Sequence, residues 1–425
     1  MAVRRLVGIV VAAGVALLCS ARDAGAEPEL PPGDAAVAVT PDAPLDAGAD
    51  ASGVATDAPV ATSASADGGA TSGSADGGAT PTSGADETPM APTESPVALK
   101  VYGDTMFQLL NRGPVKASFE AAHLDLFFTA DVGKLSFLSE VFFEGESSNE
   151  VAVDVERLQV AYLFDNWLRV RAGRSHTAFG YYNDTYHHGS IFELTAERPF
   201  AVAFEDRGGL FAAHLVGVGA DGTFDLGRGG GLRYDVEVGN GRPVDPTKVA
   251  IVHADKTEKM VNLRLRWLAP VEGLTVGANG VYDLAPEIEA TATDPGRRKV
   301  VETIGAIHAA YMEHGVHFLA EGYDVHHAAS GGGTFDTWGG FVELGYTLGA
   351  FTPYLRPEFI RFPDGGDPVF QRAGAPWDGT REVFDARVGV RWFPLPQLAV
   401  KLEGERIARG SVVQELLSTK LGFGF

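Results

Sequence analysis

The sequence predicts an all-β protein: a transmembrane antiparallel β-barrel of about sixteen strands, preceded by a signal peptide and a disordered acidic linker. Three observations predict it. Many segments of ten or more residues alternate apolar and polar side chains with period two, where soluble strands average about five or six residues. Their connections alternate between short turns and longer polar or Gly-rich loops. The chain also opens on an export-like segment and closes on Phe425, with Phe423, Leu421 and Thr419 on the same face.

In chain order, Arg4 and Arg5 precede an apolar run from Leu6 to Leu18, and Ala24-Gly25-Ala26 offers a small-residue cleavage site. That order of charge, short apolar run and small residues is a signal peptide, residues 1–26. Cys19 raises a lipoprotein alternative, but Leu18 stands where a lipidated Cys wants a small residue. Cleavage after Ala26 leaves a mature chain without Cys, able to cross an oxidising compartment with no disulfide chemistry.

Residues 27–96 carry twelve Asp or Glu and no Lys, Arg or aromatic, and Ser65 to Thr71 recurs as Ser74 to Thr80. Such a segment buries too little apolar surface to offset its ordering entropy, so it reads as a disordered acidic tether. The net charge of −22 argues against nucleic acid as a partner. No run of about 18 apolar residues follows the N-terminus, so no transmembrane helix is expected.

From Val97 the strand pattern takes over, giving a barrel over 97–425. Leu124, Leu126 and Phe128 oppose His123 and Asp125. Leu158, Val160 and Tyr162 oppose Arg157 and Gln159. Leu168, Val170 and Ala172 oppose Arg169 and Arg171. Leu232, Tyr234 and Val236 oppose Arg233, Asp235 and Glu237, and Val261, Leu263 and Leu265 oppose Asn262, Arg264 and Arg266. Phe384, Ala386 and Val388 oppose Asp385 and Arg387. Short turns fall at 131–134, 164–167, 269–273, 313–315, 348–350 and 394–396, with a longer one at 221–231. Longer loops fall at 145–151, 174–207, 241–257, 284–299, 327–334 and 363–381. Aromatics at the turn ends, among them Phe164, Trp167, Trp267, Tyr346, Phe351 and Trp392, suit an interfacial girdle.

The longest connection, the third on the loop side, holds seven aromatics from Phe179 to Phe204. A loop this long in a compact β protein is usually functional. Sixteen strands enclose an aqueous channel, so the loop is expected to fold inward and narrow it; the alternative is a loop lying over the outer rim, closing the mouth or binding a neighbour. Phe179, Tyr181, Tyr182, Tyr186 and Phe192 would pack on the wall, and Gly180 and Gly189 would permit the turns. Arg174, His176, His187, His188 and Arg198 would face water.

Gly173-Arg174, Ala178-Phe179-Gly180, Asn183 and Arg198-Pro199 together resemble the G-R…P-F-G…N…R-P stretch of the phosphate-selective porin O and P group. Ser139 to Glu144 and Glu237 to Gly241 are similar to that group too. Ala178 stands where its pattern prefers Pro, and no Lys-rich constriction is evident. The resemblance implies a sixteen-stranded, trimeric, passive channel of the Gram-negative outer membrane. Its partners would be membrane lipid, the barrel-assembly machinery and small hydrophilic solutes, and no cofactor is called for. The C-terminal Phe423 and Phe425 resemble the signal by which such barrels are recognised for insertion.

Arg157, Arg169, Arg171, Arg233, Arg264 and Arg266 are candidates for the pore lining. Charged rings set selectivity in pores, and guanidinium forks onto carboxylate or phosphate. Over 97–425 the chain holds 31 Lys plus Arg against 43 Asp plus Glu, so the barrel is acidic by 12. His176, His187, His188 and His214, with Glu193 and Glu197, match no compact ligand motif; loop packing is the reading taken, with no metal. Gly217 to Gly222 fits G-x-G-x-x-G without a following helix, so a dinucleotide site is rejected. No nucleophile–base pair points to a barrel enzyme. The expectation is a diffusion porin, general or anion-leaning; the alternative is a non-transporting barrel serving as structural anchor or surface adhesin.

Overall fold

The structure, a computed structural model, describes residues 97–110, 117–145, 151–186, 190–204, 208–243, 256–288, 298–330, 332–373 and 381–425. The signal peptide, the linker, His187, His188 and Gly189 lie outside the described residues.

Sixteen strands form one closed barrel. They are β1 (Val97–Leu110), β2 (Ala117–Val132), β3 (Leu135–Gly145), β4 (Val151–Asp165), β5 (Leu168–His176), β6 (His214–Asp225), β7 (Gly231–Gly239) and β8 (Met260–Leu268). The second half is β9 (Leu274–Ile288), β10 (Arg298–Tyr311), β11 (Val316–Ala329), β12 (Thr334–Tyr346), β13 (Phe351–Arg361), β14 (Glu382–Leu395), β15 (Leu398–Arg409) and β16 (Val412–Gly424). Each strand pairs antiparallel with its sequence neighbours, and β16 closes on β1. At that seam Val101 N–H donates to the Phe425 carbonyl at 2.9 Å, and Phe425 N–H donates back at 2.8 Å. Closure leaves no unpaired edge in lipid.

The alternation has the expected sense. On β8, Asn262, Arg264 and Arg266 are buried, while Val261, Leu263, Leu265 and Trp267 are exposed on the outer face. Phe164, Trp167, Tyr346, Phe351 and Trp392 stand exposed near the strand ends, and Phe351 stacks on Trp392 at 5.8 Å. β6 continues to Asp225, past the start of the sequence-expected 221–231 turn; the actual turn is a short 3-10 stretch at Gly227–Gly229. Gly217, Gly219 and Gly222 masked that strand, since glycine contributes no apolar face to the pattern.

Two features depart from simple alternation. A bulge in β4, opposite Glu140 and Val141 of β3, turns both Glu156 and Arg157 inward. The interior is also not uniformly polar. Ile304, Leu319, Val325, Phe341 and Ile360 are buried on the inner wall of β10–β13. They join Phe179, Tyr182 and Phe211 of the long loop in one apolar cluster.

Candidate functional site

The connection between β5 and β6 runs from Thr177 to Ala213 and folds into the barrel. Its root is a hairpin: His176 pairs with His214, and Thr177 N–H donates to the Ala213 carbonyl at 2.9 Å. Beyond the root come α1 (Tyr182–Thr185) and a 3-10 turn at Phe200–Val202. Phe179, Tyr182, Asn183, Leu194, Thr195, Ala196, Ala201 and Val202 have almost no exposed surface.

A backbone taken out of water needs partners for its N–H and C=O groups. Ionic and amide side chains of the wall supply them. Ala178 N–H donates to Glu237 on β7 at 2.9 Å and Gly180 N–H to Asn279 on β9 at 3.0 Å. Tyr181 and Tyr182 N–H donate to Glu321 on β11 at 2.8 and 2.5 Å. Ala196 N–H donates to Glu403 on β15 at 2.9 Å, and Phe200 and Ala201 N–H to Glu358 on β13 at 2.9 and 2.6 Å.

The loop carbonyls are held in the same way by cations. Gly180 O accepts from Arg264 at 3.0 Å, Glu197 O from Arg356 at 2.6 Å, Thr195 O from Lys401 at 2.6 Å and Ala196 O from Lys420 at 3.2 Å. These wall partners span β7 to β16, so the loop crosses the lumen rather than lying along one side.

Apolar docking adds to this. Phe179 packs on Phe211 and Tyr323, with ring centroids 4.2 and 5.9 Å apart, and Tyr182 meets Phe341 edge-on at 5.7 Å. Gly180 has φ +62°, and a Cβ there would run into the Glu321 carboxylate. Arg198 braces the loop internally. It donates to Val202 O at 2.8 Å and to Asn183 Oδ1 at 3.2 Å, and it lies 4.4 Å above the Phe204 ring. Asn183 in turn donates to the carbonyls of Thr177 and Ala213, locking the root.

Three sequence-expected positions differ. Arg174, His176 and Arg198 do not face water; all are buried. Arg174 and His176 still belong to β5, because the hairpin extends further than the sequence suggested, and Arg198 is consumed within the loop. Tyr181 packs beside Tyr186 and His308 as a partly buried ring.

The six wall arginines each face a carboxylate. Arg157 pairs with Glu140. Arg169, Arg171 and Arg233 converge on Asp221, at 3.1, 2.8 and 3.8 Å. Arg264 contacts Asp235 at 2.9 Å and the loop residue Asp184 at 2.7 Å; Arg266 stands 3.4 Å from Asp184. Burial alone would raise the Asp184 pKa, but the guanidinium groups of Arg264 and Arg266 outweigh it and hold the carboxyl well below the usual range. Burial pushes the Glu193 carboxyl up against the pull of Lys401, Lys420 and Arg198. Glu321, Arg356, Lys401, Lys420 and Asn279 were missed as loop anchors. Their inward parity on the strands was the available signal.

Of the histidines considered as ligands, the structure brings His176 and His214 together beside Glu156, whereas Glu193 accepts from Tyr182 Oη at 3.1 Å.

No protein-family model and no curated protein matches the chain. Solved structures do. OmpT of Vibrio cholerae, an outer membrane protein seen in a trimer form, is 12% identical over 77% of this chain and 99% of that chain, with TM-score 0.52. An anion-selective porin from Comamonas acidovorans is 12% identical over 77% of this chain and 99% of that one, with TM-score 0.54. The outer membrane channel DcaP of Acinetobacter baumannii is also 12% identical, over 77% of this chain and 97% of that one, with TM-score 0.51. What this chain shares with them is the fold, a closed antiparallel barrel of the outer-membrane type.

Proposed function

We propose that the chain is an outer-membrane porin, a passive channel for small hydrophilic solutes or ions whose bore is set by the 177–213 loop. The observation that carries this reading is the loop docked across the lumen on a wall of paired charges. A charged, polar interior is what a water-filled outer-membrane channel presents, and charged side chains there set its selectivity. The similarity of fold to an anion-selective porin and an outer membrane channel supports the same reading. Residues 1–26 act as the cleaved export signal, residues 27–96 as a periplasmic tether, and the assembled form is a homotrimer.

The arginines give the anion-leaning or phosphate-selective version only partial support, since the six share the carboxylates of Glu140, Asp221, Glu237, Asp235 and Asp184. Selectivity is accordingly modest. The dense packing of Leu194, Thr195 and Ala196 in the lumen favours a second reading, a non-transporting barrel serving as anchor or adhesin. Planar-bilayer recording separates the two. Discrete current steps with a small reversal potential under a salt gradient support the porin, and folded protein without current steps rejects it.

A further inference from the structure

We infer that Glu156, His176 and His214 form a binding site for a borderline divalent transition ion of the zinc class, placed at the root of the inward loop. A ring nitrogen from each histidine and a carboxylate oxygen lie within 4.8 Å of one another, and all three residues are more than nine-tenths buried. Two imidazoles and one carboxylate are donors for Zn²⁺, Cu²⁺, Ni²⁺ or Co²⁺ rather than for Mg²⁺ or Ca²⁺, which take oxygen. Three protein ligands leave one position for water or an anion.

The site comes from three adjacent strands. His176 ends β5 and His214 begins β6, and the two are register partners, so their side chains share one face. Glu156 reaches that face in the same inward alternation as Ala152 and Asp154, and the β4 bulge that follows lets Arg157 face inward beside it. His214 Nε2 stands 2.6 Å from Glu156 Oε2, and His176 Nε2 stands 3.8 Å from Glu140 Oε2. The His214 ring is fixed by stacking on Phe204 at 5.5 Å, and Phe204 is covered by Arg198. Arg174 anchors Glu156 from the other side: its Nε donates to the Glu156 carbonyl at 2.9 Å and its Nη2 stands 3.5 Å from Oε2. The donors are thus held by packing on rigid strands, with small side-chain shifts needed to close around an ion at about 2.0–2.2 Å. A bound ion would tie β4, β5 and β6 together where the loop leaves the wall. This site does not depend on the channel reading, and its test needs no current.

The probe is Co²⁺ added to the purified, folded full-length protein in detergent, followed by its visible d–d absorption and by metal analysis after desalting. A single retained equivalent with low-coordinate bands, displaced by Zn²⁺, is expected. Glu156→Gln keeps the size and a hydrogen bond to His214 while removing the anionic ligand, and His214→Gln removes an imidazole. Each should abolish the bands, with folding checked by tryptophan fluorescence and protease resistance. Unchanged bands in both folded variants would overturn the site, because the ion would then sit elsewhere, for instance on the exposed His326–Asp336 pair. Absence of retained Co²⁺ in the unsubstituted protein would overturn it directly, whatever the variants do, and leave the trio as an internal hydrogen-bonded network.

Discussion

The Glu321 carboxylate on β11 accepts the backbone N–H groups of both Tyr181 and Tyr182, at 2.8 and 2.5 Å, and so fixes the start of α1 against the far wall. The Tyr323 hydroxyl donates to the same carboxylate. Glu321→Ala leaves three donors, the Tyr181 and Tyr182 N–H groups and the Tyr323 hydroxyl, without this acceptor, at about 1–3 kcal/mol for each one that stays buried. The barrel should survive while the loop loosens. Hydrogen exchange across 177–213 should quicken in Glu321→Ala and much less in Glu321→Gln; protection unchanged in Glu321→Ala would mean the contact does not hold the loop.

Gly180 tests the same docking from the loop side. Its positive φ suits glycine, and an added methyl would push on a carboxylate that three donors hold in place. Gly180→Ala should cost about 1 kcal/mol in backbone strain alone, with the clash adding to it. Faster proteolysis within the loop, at unchanged barrel stability, is the expected outcome.

Asp184 links the loop to the arginine wall. Its carboxyl is held well below its ordinary value of about 3.9, chiefly by Arg264 and Arg266 acting against desolvation. A depressed carboxylate stabilises docking above its unfolded value, and the contribution is lost only as pH falls through the folded value. Loop protection attributable to Asp184 should therefore hold from neutral pH down to about 4. Asp184→Asn removes one negative charge from the lumen beside two arginines, so the reversal potential should move toward anion preference. A shift toward cations would contradict the electrostatics.

Phe425 closes the barrel seam through its two main-chain bonds to Val101, and Phe423 lies against Gly103. A chain lacking Phe425 should reach the outer membrane in smaller amount and accumulate as unassembled protein. Normal levels of folded barrel, measured by cell fractionation, would show that the terminal pair is dispensable.

Much of the barrel was legible because its inner and outer faces differ in polarity on β2, β4, β5, β7, β8 and β14. The pattern fades on β10–β12, where Ile304, Leu319, Val325 and Phe341 turn inward to receive loop aromatics. That requirement comes from residues over a hundred positions away, so no local period carries it. The inward turn of the loop was readable from its aromatics, but the burial of Arg174, His176 and Arg198 was not, since their partners come from other strands and from within the loop. The His176–His214 pairing needs the β5–β6 register, and the placing of Arg157 inward beside Glu156 needs the bulge. Neither is encoded in residue spacing.

The most direct test of the loop as the element that sets the bore is its excision. His176 and His214 are register partners, so residues 177–213 can be replaced by a two-residue Asn-Gly turn that closes the β5–β6 hairpin. Single-channel conductance of the folded, excised barrel should rise severalfold over the full chain, with ion selectivity weakened. Equal conductance and selectivity in the two proteins would contradict a loop-set pore.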